Sequence, residues 1–449
     1  MWRETPIPMY IDIYLFNWTN PEDVNNTNIK PFFDELGPYV FRESHERVNI
    51  SWKEGFLVEF NQIRTYHFMP ELSNGSLTDK VTNLNVIAAT AAYTIRNHPV
   101  LLWGLNEVFK GFNTPVSVTK TAGQWMFDGF RDPLLTVINI INTLNDTILP
   151  IDVPFDKFGW FYGRNLSWSY DGLFEMHTGE DDISNLGILT RWNNMTKTNY
   201  YDSYCGMVNG TTGELWPPVY STGNITLFAS DICRSMMLEY NGTSNVEGVE
   251  GYVYVGNRHL LDNGDLYPEN KCFCSNKPRE EPCALPTGVA NVSLCRYGAP
   301  AFVSYPHFYL SDPFYTEKID MPKATDKDVF FLTLEPRTGI PLNVEAKLQI
   351  NVLMKSYRQI GIFRKVTDAF MPAIWFNQRA QLTPELASKL QLLLYLPIIG
   401  ISVFSVLLII GVILFGVGVY KKMWGQWSVT KQAEYSVNSE LDKNDASTN

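Results

Sequence analysis

Ile340-Pro341-Leu342-Asn343-Val344-Glu345-Ala346-Lys347-Leu348-Gln349-Ile350-Asn351-Val352-Leu353-Met354-Lys355 alternates apolar and polar side chains, with Leu353 the sole exception. In an extended chain successive side chains point to opposite faces. Ile340, Leu342, Val344, Ala346, Leu348, Ile350, Val352 and Met354 therefore share one face, and the polar residues share the other. Such a run demands a sheet with one buried face. At about 3.3 Å per residue it spans roughly 50 Å, long for an ordinary sandwich. A strand this long and this one-sided suits a barrel-like sheet whose interior is either packed or hollow. The period alone does not say which.

Outward from this run, residues 10–16, 39–42, 58–60 and 65–68 read as short strands between turn-rich segments. The period then changes. Leu84, Ile87, Ala88, Ala91 and Ile95 recur at helical spacing, Pro99 interrupts, and Leu101, Leu102, Leu105, Val108 and Phe109 resume, so 81–112 reads as helical. A third helical run is expected over 132–149, with Pro133 near its first turn. Residues 160–255 return to strand and turn, and the whole is an α+β chain.

Residues 390–420 carry no charge and exceed the roughly 20 apolar residues a membrane core requires. Lys421 and Lys422 follow. Eleven Asn-x-Ser/Thr triplets precede this span and none follows it; they begin at Asn17, Asn25, Asn49, Asn74, Asn145, Asn165, Asn194, Asn209, Asn224, Asn241 and Asn291. All six cysteines lie on the same side. The triplet is modified only in the secretory lumen. The expected organisation is therefore an extracellular or lumenal domain over 1–389, a transmembrane helix over 390–420 and a cytosolic tail over 421–449. Residues 1–16, with Arg3, Glu4, Pro6, Pro8 and Asp12, lack the apolar stretch of a signal peptide. A C-terminal span cannot readily export so long a domain ahead of it, so an upstream signal or span is expected before Met1.

Net charge is −11, and the four lysines and four acids of the tail cancel, so the charge belongs to the ectodomain. An acidic surface argues against nucleic acid as a partner. Cys205, Cys233, Cys272, Cys274, Cys283 and Cys295 fall within one region, 205–295, and point to three disulfides among fifteen possible connectivities. One residue separates Cys272 from Cys274, against the two to four of a zinc clip, and His259 and His307 fit no ligand spacing. Glu180-Asp181-Asp182 and Asp262-Asn263-Gly264-Asp265 read as solvated turns, since neither has the ligand count of an EF-hand loop. No nucleophile elbow, metalloprotease motif, phosphate loop or dinucleotide fingerprint occurs. The reading is a protein without enzymatic activity, cofactor or metal.

Several segments together resemble one family. Phe16-Asn17-Trp18-Thr19-Asn20-Pro21, Gly37-Pro38-Tyr39-Val40-Phe41-Arg42-Glu43, Gly129-Phe130-Arg131-Asp132-Pro133, Ser230-Asp231-Ile232-Cys233-Arg234-Ser235, Pro306-His307-Phe308 and Glu335-Pro336-x-Thr338-Gly339 are similar to signature segments of the class B scavenger receptors. The match runs from about Trp2 to the span.

The resemblance implies a large antiparallel β-barrel-like ectodomain, a helical apex at about 81–149, and an apolar tunnel leading toward the membrane. It also implies spans at both ends, and disulfides Cys205–Cys272, Cys233–Cys295 and Cys274–Cys283. Its implied partners are the membrane and lipids or lipoproteins, including fatty acids, sterols and phospholipids, or apoptotic debris. A tunnel lined by the apolar face of the 340–354 strand would carry a lipid chain out of water, each CH₂ contributing about 0.8 kcal/mol. At the apex, Lys110 between Phe109 and Phe112 is the candidate ligand site, able to pair a carboxylate head group with apolar contacts for its chain. The expected location is the plasma membrane. The alternative is an endo-lysosomal cargo receptor that binds a protein through the apical helices. Tyr420-Lys421-Lys422-Met423 formally fits a tyrosine sorting signal but abuts the span, and the tail has neither cysteine nor an acidic dileucine.

Overall fold

A computed structural model describes residues 2–136, 156–219, 221–274 and 285–445. The chain forms two units, Met1–Thr383 and Pro384–Asn449.

The first unit is organised by one antiparallel sheet of thirteen strands. Its strands are β1 (Met9–Trp18), β2 (Phe33–Lys53), β3 (Leu57–Phe68), β6 (Leu173–His177), β7 (Leu189–Trp192), β8 (Ile225–Ala229), β9 (Arg234–Val246), β10 (Val249–Val255), β11 (Val289–Asn291), β12 (Ala301–Ser304), β13 (Phe331–Leu334), β14 (Pro341–Met354) and β15 (Ala369–Gln381). The order is β7-β6-β3-β2-β1-β15-β14-β13-β10-β9-β8, with β12 also paired to β14 and β11 to β12. The two end strands are joined through residues 209–211. Leu189 N donates to Gly210 O at 2.8 Å, Thr211 N to Thr226 O at 3.1 Å, and Phe228 N to Thr211 O at 2.8 Å. Gly210 is required here: its φ is 83°, and a Cβ would lie 2.1 Å from Thr226 O. The sheet is thus nearly closed, as the length and one-sidedness of the 340–355 run anticipate.

That run is β14, paired with β15 from Asn343↔Gln381 to Met354↔Ala369. Pro372 has no N–H to give the ladder, and the register shifts beside it, between Ile350 and Asn351. One expectation about β14 is corrected. Its polar face is not solvated throughout, because Lys347, Gln349 and Asn351 are all buried. They are satisfied laterally: Gln349 Oε1 accepts from His307 N at 2.7 Å, Gln349 Nε2 donates to Asn351 Oδ1 at 2.7 Å, and Asn351 Nδ2 donates to Ser304 Oγ at 3.0 Å.

The N-terminal strands are longer than hydrophobic periodicity suggests. β2 covers twenty-one residues where only 39–42 stand out, and 58–60 and 65–68 are parts of the single strand β3. The reason is that Glu43, His45 and Arg47 of β2, with Asn61 and Gln62 of β3, are buried polar residues that break the apolar pattern.

A second hairpin, β4 (Lys80–Leu84) with β5 (Ser117–Thr121), carries two helices between its strands. Residues 81–84 are therefore strand, not helix, and 117–121 within the expected helical apex are strand as well. Helix α1 (Val86–Thr94) begins where the Asn85 side chain accepts from Ala88 N at 3.1 Å. It is packed on several sides, with Val86, Ile87, Ala88, Ala89, Ala91 and Ala92 all buried. Helix α2 (Pro99–Gly111) buries Leu102, Asn106 and Phe109 and exposes Val100 and Trp103. Of the run expected over 132–149, residues 133–136 are helical; the remainder lies outside the described residues.

The second unit is one helix, α3 (Pro384–Asp445), which contains the expected span 390–420 and continues beyond it on both sides. It is long and apolar enough to cross a membrane.

Candidate ligand-binding cavity

The apolar face of β14 borders a hollow. Leu348, Ile350 and Val352 line a cavity of about 510 Å³, within the range of small-molecule sites. Phe376 of β15, Ala301 and Val303 of β12, and Val86 and Ile87 of α1 complete much of its apolar wall. The register explains the convergence. Ala301 pairs with Val352, Val303 with Ile350, and Phe376 with Leu348, so three adjacent strands present apolar side chains together. Residues 158–161, Phe-Gly-Trp-Phe, add an aromatic side. Among the described residues, the charged lining residues are Lys157, Asp231 and Arg296.

Asp231 and Arg296 end a chain of alternating charges that runs through the protein beside the cavity. Arg296 Nη2 reaches Asp231 Oδ1 at 3.4 Å, and Asp231 Oδ2 meets Arg164 at 2.9 Å. Arg164 holds Asp171 at 3.2 Å, Asp171 holds Arg64 at 2.6 Å, and Arg64 meets Glu43 at 3.4 Å. Glu43 contacts His45 Nε2 at 2.7 Å, His45 Nδ1 contacts Glu214 at 2.6 Å, and Glu214 holds Arg47 at 2.8 Å. Burial opposes ionisation of Glu43, but His45, Arg64 and Arg164 outweigh it and pull its carboxyl down to about 2. Burial likewise disfavours a charged His45, yet Glu43 and Glu214 on its two nitrogens raise its pKa. Burial raises Glu214, and His45 and Arg47 more than reverse this, holding it well below the usual range. Only an imidazolium donates from both nitrogens, so His45 is charged and the alternation is complete.

A second histidine is built the same way. His307 Nε2 lies 2.6 Å from Glu35 and Nδ1 3.2 Å from Asp328. Burial lowers its pKa, but hydrogen bonds to Asp328 and Glu35 dominate and push it up to about 9. Trp375 Nε1 also donates to Glu35, at 2.7 Å. Singly scattered histidines give no sign of this. The alternation Glu43-x-His45-x-Arg47, read as a strand with a charged buried face, is the signal that reaches the first of them.

The candidate apical trio does not form one surface. Phe109 is buried, Phe112 is exposed, and Lys110 is exposed with Nζ 2.7 Å from Glu107 Oε1. Among the cysteines, Cys205 is bonded to Cys272 and Cys233 to Cys295. Cys274 is disulfide-bonded, while Cys283 lies outside the described residues. Of the sequon asparagines, Asn25, Asn49, Asn74, Asn165, Asn194, Asn209, Asn224 and Asn241 are exposed. Asn17 and Asn291 are half-buried, and Asn145 lies outside the described residues.

A family model described as the CD36 family matches residues 1–422. Protein peste of Drosophila melanogaster is 36% identical over 416 residues, 92% of this chain and 73% of the relative. Scavenger receptor class B member 1 of Mus musculus is 35% identical over 384 residues, 84% of this chain and 72% of the relative. Lysosome membrane protein 2 of Rattus norvegicus is 29% identical over 416 residues, 92% and 83% of the two chains.

Proposed function

We propose a lipid-receptor function for this chain, which belongs to the CD36 family: a class B scavenger receptor of the cell surface that takes lipid from a bound particle into its ectodomain cavity and passes it toward the membrane. The observation that carries this reading is the apolar cavity against Leu348, Ile350 and Val352. A strand face that would otherwise pack as solid core instead borders a space in which an acyl chain gains about 0.8 kcal/mol per buried CH₂. The exposed sequon asparagines and the absence of free cysteines among the described residues support a lumenal or extracellular placement of the first unit. Pairing of Cys274 with Cys283 is part of the same proposal.

The test is Ile350→Trp, which fills the cavity from β14. Uptake of a fluorescent long-chain lipid into cells expressing the full protein is expected to fall severalfold at equal surface expression. Unchanged uptake at equal expression would remove the cavity from the route.

A second reading has its own support. Val100 and Trp103 of α2 are exposed, at 80% and 63%. An apolar helix face of this kind suits a protein ligand in an endo-lysosomal cargo receptor. Trp103→Glu would abolish capture of such a cargo while leaving lipid uptake intact.

A further inference from the structure

Every charged residue on the cavity wall is a candidate for more than solvation. Asp231 and Arg296 are paired with each other there. Arg296 engages Asp231 through Nη2 alone, with the Asp231 backbone oxygen and with Oδ1 at 3.4 Å. Its Nε and Nη1 have no partner among the described residues, and its side chain is 32% exposed. A guanidinium has five donors in a planar fork, so most of this one remains open. Nor is its charge balanced. Asp231 is shared with Arg164, which lies closer at 2.9 Å. Lys157 adds a further cation to the same cavity wall, over the Tyr162 ring at 5.7 Å. In a chain of net charge −11, the charged lining of this cavity carries, among the described residues, an excess of positive charge.

The position of Arg296 is fixed. The Cys233–Cys295 disulfide joins the segment carrying Asp231 to the one carrying Arg296. From Arg296 the chain runs within seven residues to Ala301 and Val303, which pair with β14 and line the same cavity. One short stretch thus leads from an open guanidinium to the apolar wall.

We infer that Arg296 is a head-group anchor of this cavity, selecting amphiphiles with an anionic carboxylate or phosphate head and a long apolar chain laid against Leu348, Ile350 and Val352. The inference rests on the cavity reading above and adds the specificity-determining residue. A planar fork matches the two oxygens of either head group, and the partly enclosed site screens that contact less than bulk water does.

The experiment uses the purified full chain in phosphatidylcholine nanodiscs, labelled by a photo-crosslinkable 18-carbon acid. Competitors are oleate, oleyl phosphate, oleyl alcohol and inorganic phosphate. In the unaltered protein, oleate and oleyl phosphate are expected to compete about tenfold better than oleyl alcohol, as for a charge-assisted hydrogen bond. Inorganic phosphate is expected not to compete. Arg296→Gln should erase the preference while leaving oleyl alcohol unchanged, which also shows that the variant is folded. If Arg296→Gln loses every probe, Arg296→Lys decides: it keeps the charge beside Asp231 and should retain part of the preference. Equal competition by acid and alcohol in the unaltered protein overturns the anchor while leaving the cavity reading intact. Equal preference in Arg296→Gln or full preference lost in neither variant does the same. Competition by inorganic phosphate at the level of oleyl phosphate reduces the site to a simple anion site and also overturns it. Labelling that persists in Ile350→Trp strikes the cavity reading instead.

Discussion

Strands β2 and β3 bury Glu43, His45, Arg47, Asn61 and Gln62, whereas β14 turns Leu348, Ile350 and Val352 onto a cavity. The two walls belong to one sheet, yet different forces hold them. On the first, each charge has a partner of opposite sign within 3.4 Å, and removing one member strands the next. On the second, neighbours are non-directional, and Ile350 is only half-buried where it borders the cavity. The first wall should tolerate little change and the second considerably more, which leaves the second free to accommodate a ligand.

Glu214→Ala is the most damaging way to test that contrast. It leaves His45 and Arg47 buried without their shared carboxylate, and breaking a buried pair costs about 3–5 kcal/mol. Ile350→Ala on the other wall should cost only about 1–2 kcal/mol, below a fully packed site, because the side chain already borders space. Denaturant unfolding of the two variants measures both. Equal losses would refute the contrast.

The histidine beside β14 sharpens the comparison by pH. The folded pKa of His307 is about 9, above its unfolded value of about 6.5, so the charged form is favoured in the folded state. Its contribution is fully present below about pH 6.5 and is lost as pH rises through about 9. Roughly 2 kcal/mol should disappear over that window, less than full linkage because solvent reaches the site. His307→Gln should flatten the slope between pH 6.5 and 9; an unchanged slope would mean that other groups set it.

The smallest effect is expected on α2. Lys110 and Glu107 form an exposed i,i+3 pair screened by solvent, so Lys110→Ala should leave the denaturant midpoint unchanged. A fall in lipid uptake at that unchanged stability would assign Lys110 to ligand capture, despite its separation from Phe109.

Much of this molecule is legible in its residues. The period of two in 340–355 and the uncharged run 390–420 both correspond to regular elements, because backbone geometry and the membrane thickness impose those patterns locally. Confinement of sequons and cysteines to one side of the span is equally a property of the chain alone. What sequence could not decide is whether the apolar face of β14 packs solid or borders a hollow. That depends on how Ala301, Val303 and Phe376 meet it across two strand registers. Nor could the sequence show that Gln349 and Asn351 are buried, or that Glu214 meets His45 from 169 residues away. Those outcomes come from long-range pairing, in which a buried charge is stable only once its partner arrives from elsewhere in the chain.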